Sequence, residues 1–180
     1  MPNIKDTHTE LLEIVMPEHS NSLGTLHGGL MMGWLVNVAT LGAMRVAKGP
    51  VVLGAIDDVN FLNPVLISQI VVLESQVEYV GTSSMEMGAN AVSEDPETGE
   101  RKSTTSCHMV FIAVDDEGHP RPVPVPLKPE GSQEEETYKA AKSRRGERLS
   151  QLTTHQPPKD ADTDHLQSPL GWEVQSVRPV

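Results

Sequence analysis

The sequence contains few aromatic residues and almost no cysteine. Trp, Tyr and Phe account for two residues each among 180, so the hydrophobic core must be built from aliphatic side chains and methionine. Cys107 is the single cysteine, which excludes an internal disulfide framework and a cysteine-based metal site. The N-terminal residues also lack a secretory signal pattern. These absences agree with a reducing compartment, and we expect a cytoplasmic protein.

Basic residues are scarce as well. The formal net charge is −11, and residues 1–129 contain 16 acidic residues against 7 basic ones. A nucleic-acid partner requires clustered Lys and Arg to neutralise phosphates, so we expect no nucleic-acid binding by this region. The acidic surface mainly favours solubility.

A third absence concerns residues 20–44, which include no Asp, Glu, Lys or Arg. The stretch approaches the length of a membrane-spanning helix. However, glycines and polar residues dilute it, no basic cluster flanks it, and strand-like segments follow it directly. We therefore expect no membrane span, but a buried helix that a sheet encloses on most sides.

A glycine-rich loop leads into this helix. Gly24-Thr25-Leu26-His27-Gly28-Gly29 precedes the apolar run, and Lys48-Gly49-Pro50 ends it. Because Gly28 and Gly29 have no side chain, a ligand can approach the backbone N–H groups that lack a partner inside a helix. The helix dipole adds partial positive charge at the same point. The junction therefore predicts a site for an oxyanion or a polarised carbonyl.

The remaining apolar segments predict strands. They are rich in Val, Ile, Thr and Met, and the segment from Leu73 to Tyr79 alternates apolar with polar residues, as a sheet with one solvated face requires. The predicted strands are Thr9–Val15, Val51–Phe61, Val65–Val80, Ser83–Ser93 and Arg101–Val114. The order of strand, helix and four antiparallel strands predicts an α+β domain over residues 9–129.

The composition changes beyond Pro120. Residues 121–126 alternate with proline, so they should run extended along the surface without regular pairing. Residues 132–149 predict a charged helix with acid at its start and base at its end, and we assign it to 130–149. Residues 150–180 are polar and rich in proline at first, which predicts a linker or a disordered tail.

Several short motifs occur together and in order along the chain. They are Met16-Pro17, Asn21, Gly24-Thr25-Leu26-His27-Gly28-Gly29, Asp58-Val59-Asn60-Phe61-Leu62-Asn63-Pro64-Val65, Gly81-Thr82-Ser83-Ser84, and Phe111-Ile112-Ala113-Val114-Asp115 followed by Gly118 and Pro120. Taken together, these motifs resemble those of the hotdog-fold acyl-CoA thioesterases. The resemblance covers about residues 9–149 without interruption, and only the combination is specific.

This resemblance implies an antiparallel sheet wrapped around a long central helix, and dimers that pair their sheets edge to edge, with higher oligomers up to a hexamer. It also implies hydrolysis of acyl-CoA thioesters without a cofactor. Backbone N–H groups near Gly28 and Gly29 would polarise the thioester carbonyl, while a carboxylate on the helix of the partner subunit would activate water. In the family this acid usually lies nine positions after the His of His-Gly-Gly, where this chain has Val36.

The departure at Val36 leaves the catalytic base open. Asn37 could place a water molecule, although an amide cannot accept the proton, or it could be a core residue bonded to backbone. Asp57 and Asp58 are the nearest acids, and strand alternation should point one of them inward. Either could replace the base, or both could form a solvated pair on an outer strand.

The other candidate residues also have two interpretations. His27 could donate a hydrogen bond to the substrate, or it could only cap the helix or pack at its start. Asn21 and Thr25 could orient water or the loop backbone, or they could satisfy N–H groups at the helix start. The turn Gly81-Thr82-Ser83-Ser84 is where the resemblance places contacts to coenzyme A, although any turn could use these residues. No His or acid lies at helical metal-ligand spacing from His19 or His108, so we expect no metal site.

Coenzyme A also requires partners for its phosphates. The basic residues of the charged helix could meet them from a neighbouring subunit, or they could form mixed charge pairs on a solvated helix. These residues are Lys139, Lys142, Arg144, Arg145 and Arg148.

Two functional classes follow. The first is a thioesterase with an atypical base, and the second is a non-catalytic acyl-CoA-binding or assembly subunit. The second includes one half of a tandem hotdog protein, because residues 173–179 resemble the strand that opens a repeat.

Overall fold

The computed structural model describes residues 2–154, and it confirms the expected α+β class. Five antiparallel strands form one sheet in the order β1-β3-β4-β5-β2, and a long helix packs on one of its faces. The elements in chain order are β1 (Thr9–Ile14), α1 (Gly28–Ala47), β2 (Val51–Phe61), β3 (Ile70–Val80), β4 (Ser84–Glu94), β5 (Arg101–Ala113) and α2 (Gly131–Thr154), with short 3₁₀ turns at Lys5–Thr7 and Pro17–His19.

The core lies between α1 and the sheet, and methionine takes the place that aromatic residues have in most cores. Met85, Met87 and Met109 are fully buried on the face that α1 covers, beside Phe111. Gly42 lets the helix approach closely, because a Cβ there would lie 3.0 Å from the Met87 Cε. Cys107 is buried in the same core, and this burial raises the pKa of its thiol to about 11.

One strand begins later than its sequence pattern predicts. We expected a strand from Val65, but β3 starts at Ile70. Val65 is instead a buried loop residue whose carbonyl accepts a hydrogen bond from the N–H of Leu26, at 2.8 Å. Ser68 has a φ of 72°, which turns the chain before the strand. The loop before α1 is therefore tied to the loop before β3. The other strand boundaries agree within one residue.

The sheet does not enclose α1 as completely as expected. One stripe of the helix is exposed, with residues three or four positions apart. Its members are Leu30, Gly33, Asn37, Leu41 and Met44. By length and apolar composition α1 could span a membrane. Its opposite side, however, holds residues with no exposure, such as Leu35, Val38 and Ala39, which agrees with the central helix of a sheet.

Strand β2 lies at one edge of the sheet and carries a bulge. Its register against β5 shifts between Asp57 and Asn60, and Asp58 within the bulge has a φ of 51°. Large apolar side chains on this strand are exposed, among them Val52, Ile56 and Phe61. The outer edge of β2 therefore has backbone groups without a strand partner next to exposed apolar side chains. Proteins usually cover or block such an edge, because it can pair with another chain.

After β5 the chain runs without regular structure, as expected. The N–H groups of Arg121 and Val123 donate to the carbonyls of Ala113 and Thr82, both at 2.8 Å. The charged helix was expected to end at residue 149, but α2 continues to Thr154. Residues 150–154 are therefore helical, and the linker or tail prediction is wrong for them. The rest of that prediction, and the strand-like residues 173–179, lie outside the described residues.

The chain divides into two compact units at Lys142, and α2 crosses this boundary. In the first unit, Glu134 near the start of α2 accepts hydrogen bonds from the backbone N–H groups of Ile4 and Lys5, both at 3.2 Å. These bonds join the N-terminal segment to α2.

Candidate functional site

His27 is the N-cap of α1. Its Nδ1 accepts a hydrogen bond from the N–H of Gly29 at 3.0 Å, and its carbonyl accepts from Leu30 and Met31. The capping interpretation of His27 therefore holds. Because Nδ1 is an acceptor, the neutral ring carries its proton on Nε2, and the exposed imidazole offers one further donor.

The two glycines of the junction differ in their hydrogen bonding. The N–H of Gly29 is already taken by His27. The N–H of Gly28, in contrast, has no partner among residues 2–154. The expectation that both amides are available is therefore correct for Gly28 only. An N–H group in this position, at the positive end of a twenty-residue helix, suits an oxyanion.

Asn21 and Thr25 organise the loop before the helix. The Asn21 Oδ1 accepts from the N–H groups of Leu23 and Thr25 at 2.9 and 3.3 Å, and its Nδ2 donates to the Thr25 Oγ1 at 2.9 Å. Neither side chain caps α1, so the capping interpretation is wrong, whereas these bonds agree with the alternative that the two residues orient the loop backbone. Their hydrogen bonds stay within the loop, and they fix the direction in which the chain enters the helix at His27.

A mostly apolar pocket of about 190 Å³ lies beside Gly28. Sequence reasoning used the Phe61-Leu62-Asn63-Pro64-Val65 motif only as a family marker, but the structure makes it one wall of this pocket. Thr105 of β5, which carried no sequence signal, lies in the same pocket. The lining residues are Leu26, Gly28, Met31, Phe61, Leu62, Asn63, Pro64, Val65 and Thr105.

The helix supplies no acid near this pocket. Val36 is half-buried and packs against the core, whereas Asn37 is exposed on the open stripe. The interpretation of Asn37 as a buried core residue is therefore wrong. Adjacent helix residues project about 100° apart, so Asn37 does not occupy the direction of Val36.

Asp57 and Asp58 lie on the sheet face opposite α1. Met109 of β5 points into the core, so its neighbour His108 points to the other face. Asp57 pairs with His108 across the strands, and the Asp58 Oδ2 lies 3.7 Å from the His108 Nδ1. The bulge thus overrides simple alternation, and the expectation that one Asp points inward is wrong. Within one chain the sheet separates both carboxylates from Gly28.

The turn Gly81-Thr82-Ser83-Ser84 lies at the far end of the sheet from Gly28. Ser84 pairs with Ile112, and Val51 pairs with Ala113 at the same end, whereas Phe61 pairs with Thr105 beside Gly28. Eight residues of strand separate the two ends, which corresponds to about 27 Å. One chain does not bring the turn and the helix start together.

The remaining charged groups lie elsewhere. Lys139 is 3.9 Å from Glu135, and the three arginines of α2 also have interaction partners. The prediction that these residues meet phosphates stays a prediction. Two groups of possible metal ligands, which the sequence did not suggest, come together on the surface of the described residues. They are His8, Glu10 and Glu74, and Asp115, Glu117 and His119. All six are carboxylates or imidazoles near the surface: four are exposed, and Glu74 and Asp115 are half-buried.

Comparison with known proteins places the chain in a family. A family profile described as the thioesterase superfamily matches residues 23–100. The acyl-CoA thioester hydrolase YkhA of Bacillus subtilis, itself uncharacterised, is 37% identical over 134 residues, which cover 74% of this chain and 77% of YkhA.

Solved structures agree with this placement. A hexameric acyl-CoA thioesterase in its apo form has a TM-score of 0.78 and 32% identity, covering 83% of this chain and 96% of the other. An acyl-CoA hydrolase from Staphylococcus aureus, solved with butyryl coenzyme A and coenzyme A, has a TM-score of 0.75 and 29% identity, with coverages of 86% and 96%. With the fold, the His-Gly-Gly helix start and these similarities in agreement, the chain belongs to the hotdog-fold acyl-CoA thioester hydrolases.

Proposed function

We propose that this protein hydrolyses acyl-CoA thioesters to the free acid and coenzyme A. The observation that carries the proposal is the Gly28 N–H, which is without a partner among the described residues and belongs to a residue lining an apolar pocket. A thioester needs both features, because its carbonyl oxygen becomes an oxyanion and its acyl chain is apolar. Hydrolysis consumes only water, so the reaction requires no cofactor.

Gly28 and His27 have distinct parts in this scheme. The thioester oxygen accepts a hydrogen bond from the Gly28 N–H, and the partial positive charge of the helix start favours the tetrahedral intermediate. The His27 Nε2–H is a second donor for the oxygen or for a pantetheine carbonyl. Water attacks the carbonyl carbon, and the intermediate collapses to the acid and the coenzyme A thiol. One such donor contributes about 10²–10³ in rate.

The base is the weakest part of the site. A positioned general base contributes about 10²–10⁴, so its loss slows the reaction without abolishing it. Asn37 is the polar residue of α1 closest to the expected position, and its amide can hold a water molecule. Asp57 and Asp58 stay candidates only if a second subunit brings them to the helix start, since the sheet of their own chain separates them from Gly28.

A second subunit completes the site in another way. The free edge of β2 suits antiparallel pairing with the β2 of a second copy, which would cover its apolar side chains. In such a pair the two β2 strands run in opposite directions. The end of the partner's sheet that is far from its own helix start therefore lies beside Phe61 of the first chain. The turn Gly81-Thr82-Ser83-Ser84 of one copy then approaches the Gly28 of the other, where it can contact coenzyme A. The hexameric state of related structures is compatible with this dimer as a building block.

One specific observation favours a second candidate function. No acid lies on α1, whose residues at the expected position are Val36 and Asn37. A subunit that binds acyl-CoA without hydrolysing it would need the pocket and Gly28 but no base. A cytoplasmic location suits either function, because acyl-CoA esters are soluble metabolites there.

Thiol release and direct binding, measured on the same acyl-CoA series, separate these functions. We expect release from the purified full chain at a modest rate, and Asp57→Asn and Asp58→Asn test the remaining acids one at a time. Glu10→Gln, on the other edge of the sheet, is the matched control. Binding without release would support the second function, and neither binding nor release would exclude both. Full activity of both Asp variants would exclude them as the base.

A further inference from the structure

The pocket beside Gly28 has a closed end and an open end. Its closed end consists of buried side chains, with exposures of 8% for Leu26, 3% for Met31, 3% for Val65 and 1% for Thr105. Its open end consists of exposed residues, of which Phe61 is 57% accessible. Gly28 lies between the two ends. A chain attached to a carbonyl at Gly28 can therefore extend from the open end toward the buried side chains of the closed end.

We infer that this pocket limits the acyl chain to about six to eight carbons and that Met31 sets the limit. The inference rests on the proposed hydrolysis of acyl-CoA. An apolar cavity of about 150 Å³ holds benzene, which has six carbons. The present pocket measures about 190 Å³, so it holds slightly more. Longer chains must leave part of their length outside.

Met31 occupies the position that decides this depth. It follows Gly28 by three residues, so both lie on the same side of the helix, one turn apart. Its side chain is almost completely buried and forms part of the closed end. Methionine is unbranched and flexible, so its side chain can adapt to the space next to the bound carbonyl. Shortening it lengthens the pocket along the axis of the acyl chain.

The specificity constant for thiol release should therefore depend on chain length in two phases. From acetyl-CoA upward, each methylene that enters the pocket should raise kcat/KM by about fourfold. Beyond about eight carbons the increase should stop. Met31→Ala should move this break by about two to three carbons toward longer esters, because it removes that length of side chain.

A matched control distinguishes pocket depth from a loosened core. Met85→Ala removes the same atoms from a fully buried position in the same core, but Met85 does not line the pocket. It should lower the melting temperature without moving the break. Should Met31→Ala fail to fold, Val65→Ile provides the opposite test, because one added methylene at the closed end should shorten the preferred ester.

The outcomes separate this inference from the proposed function. Without thiol release from any ester, the proposed hydrolysis itself is wrong. Release that rises steadily up to palmitoyl-CoA leaves hydrolysis intact but overturns the length limit. An unchanged break in folded Met31→Ala, or in Val65→Ile, overturns the role of Met31 and the closed end. A shift in both variants, in opposite directions, supports the inference.

Discussion

The Nδ1 of His27 accepts the N–H of Gly29 at 3.0 Å, and this bond decides how the helix start is used. Because of this bond the Gly29 N–H is not available to the substrate, and the neutral imidazole carries its proton on Nε2. The same side chain thus caps the helix and presents a donor. Capping and catalysis, which were alternatives for His27 in the sequence, are compatible in the structure.

His27→Asn separates the two roles. Asparagine is a strong N-cap whose Oδ1 can accept the Gly29 N–H, but it has no donor at the position of Nε2. We expect nearly unchanged thermal stability and a loss of about 10²-fold in kcat. His27→Ala should show the same kinetic loss and, in addition, about 1 kcal/mol of destabilisation. Full kcat in His27→Asn would restrict His27 to capping. Melting curves and thiol-release kinetics measure both effects.

Gly28 and Gly29 should respond differently to alanine. At Gly29, a Cβ would lie 3.0 Å from the His27 Cε1 and 3.1 Å from the Nδ1, so the ring must move and the cap weakens. At Gly28, a Cβ meets only the Phe61 ring, at 3.6 Å, which is an ordinary contact. We expect Gly29→Ala to lose stability, by about 1 kcal/mol, and Gly28→Ala to keep it. Gly28→Ala should instead lower kcat/KM, because the methyl group narrows the pocket entrance. Equal melting temperatures for Gly28→Ala and Gly29→Ala would contradict the expected difference in stability.

Asp57 and Asp58 offer a test of the bulge. Asp58 has a φ of 51°, in the left-handed region where a side chain costs about 1–2 kcal/mol. Glycine relieves that cost, so Asp58→Gly should leave stability unchanged or raise it. Asp57 has no positive φ, so Asp57→Gly relieves no strain and should lose at least about 0.5–1 kcal/mol, the cost of a glycine within a strand. Chemical denaturation of the two variants checks the sign. A loss of stability in Asp58→Gly would show that its contact with His108 outweighs the strain.

These residues also show what the sequence could and could not predict. The helix and most strands followed from periodicity and from stop signals such as Lys48-Gly49-Pro50, because those signals are local. The directions of Asp57 and Asp58 did not follow, since a bulge shifts the register and only the pairing with β5 reveals it. Val65 failed for a related reason. Its apolar neighbours predict a strand, but a hydrogen bond to the loop before α1 holds it elsewhere.

The candidate site was predictable to a similar degree. Gly28 follows from the rule that the first helical N–H groups lack partners, whereas the pairing of Gly29 with His27 depends on a side-chain orientation. Thr105 could not be found, because it comes from a distant strand and carries no motif. The pocket is a tertiary feature, and only its wall from Phe61 to Val65 left a sequence signal.

Glu134 should make the stability depend on acid pH. Burial acts to raise the pKa of its carboxyl, but hydrogen bonds from the N–H groups of Glu130, Ile4 and Lys5 outweigh it, so the pKa is lowered from 4.5. A lowered pKa in the folded state stabilises the protein above the ordinary value, and this contribution is lost as the pH falls through the folded value.

Glu134→Gln should therefore flatten the decrease in melting temperature below about pH 4.5, while lowering stability at neutral pH by about 1–3 kcal/mol. Glu135→Gln is the control, because Glu135 is exposed and lies only 3.9 Å from Lys139. We expect its pH profile to follow that of the parent. Identical profiles for all three proteins would show that the junction of α2 with the N-terminal segment has no role in acid unfolding.

Val36 allows the most direct test of whether the missing acid limits the rate of hydrolysis. The family resemblance places the catalytic carboxylate at this position, and Val36 is half-buried beside the core, directly before Asn37 of the open stripe of α1. If the chain is a thioesterase limited by its base, Val36→Asp should raise kcat by about 10²–10⁴. Val36→Asn, which has the same size without the charge, should not.

Asn37→Asp tests the neighbouring direction and should give a smaller gain, because it projects about 100° away. The aspartate carries a desolvation cost at this half-buried position, so melting temperatures must accompany the kinetics. A folded Val36→Asp variant that still binds acyl-CoA, but releases no more thiol than the parent, would show that the site lacks more than a base.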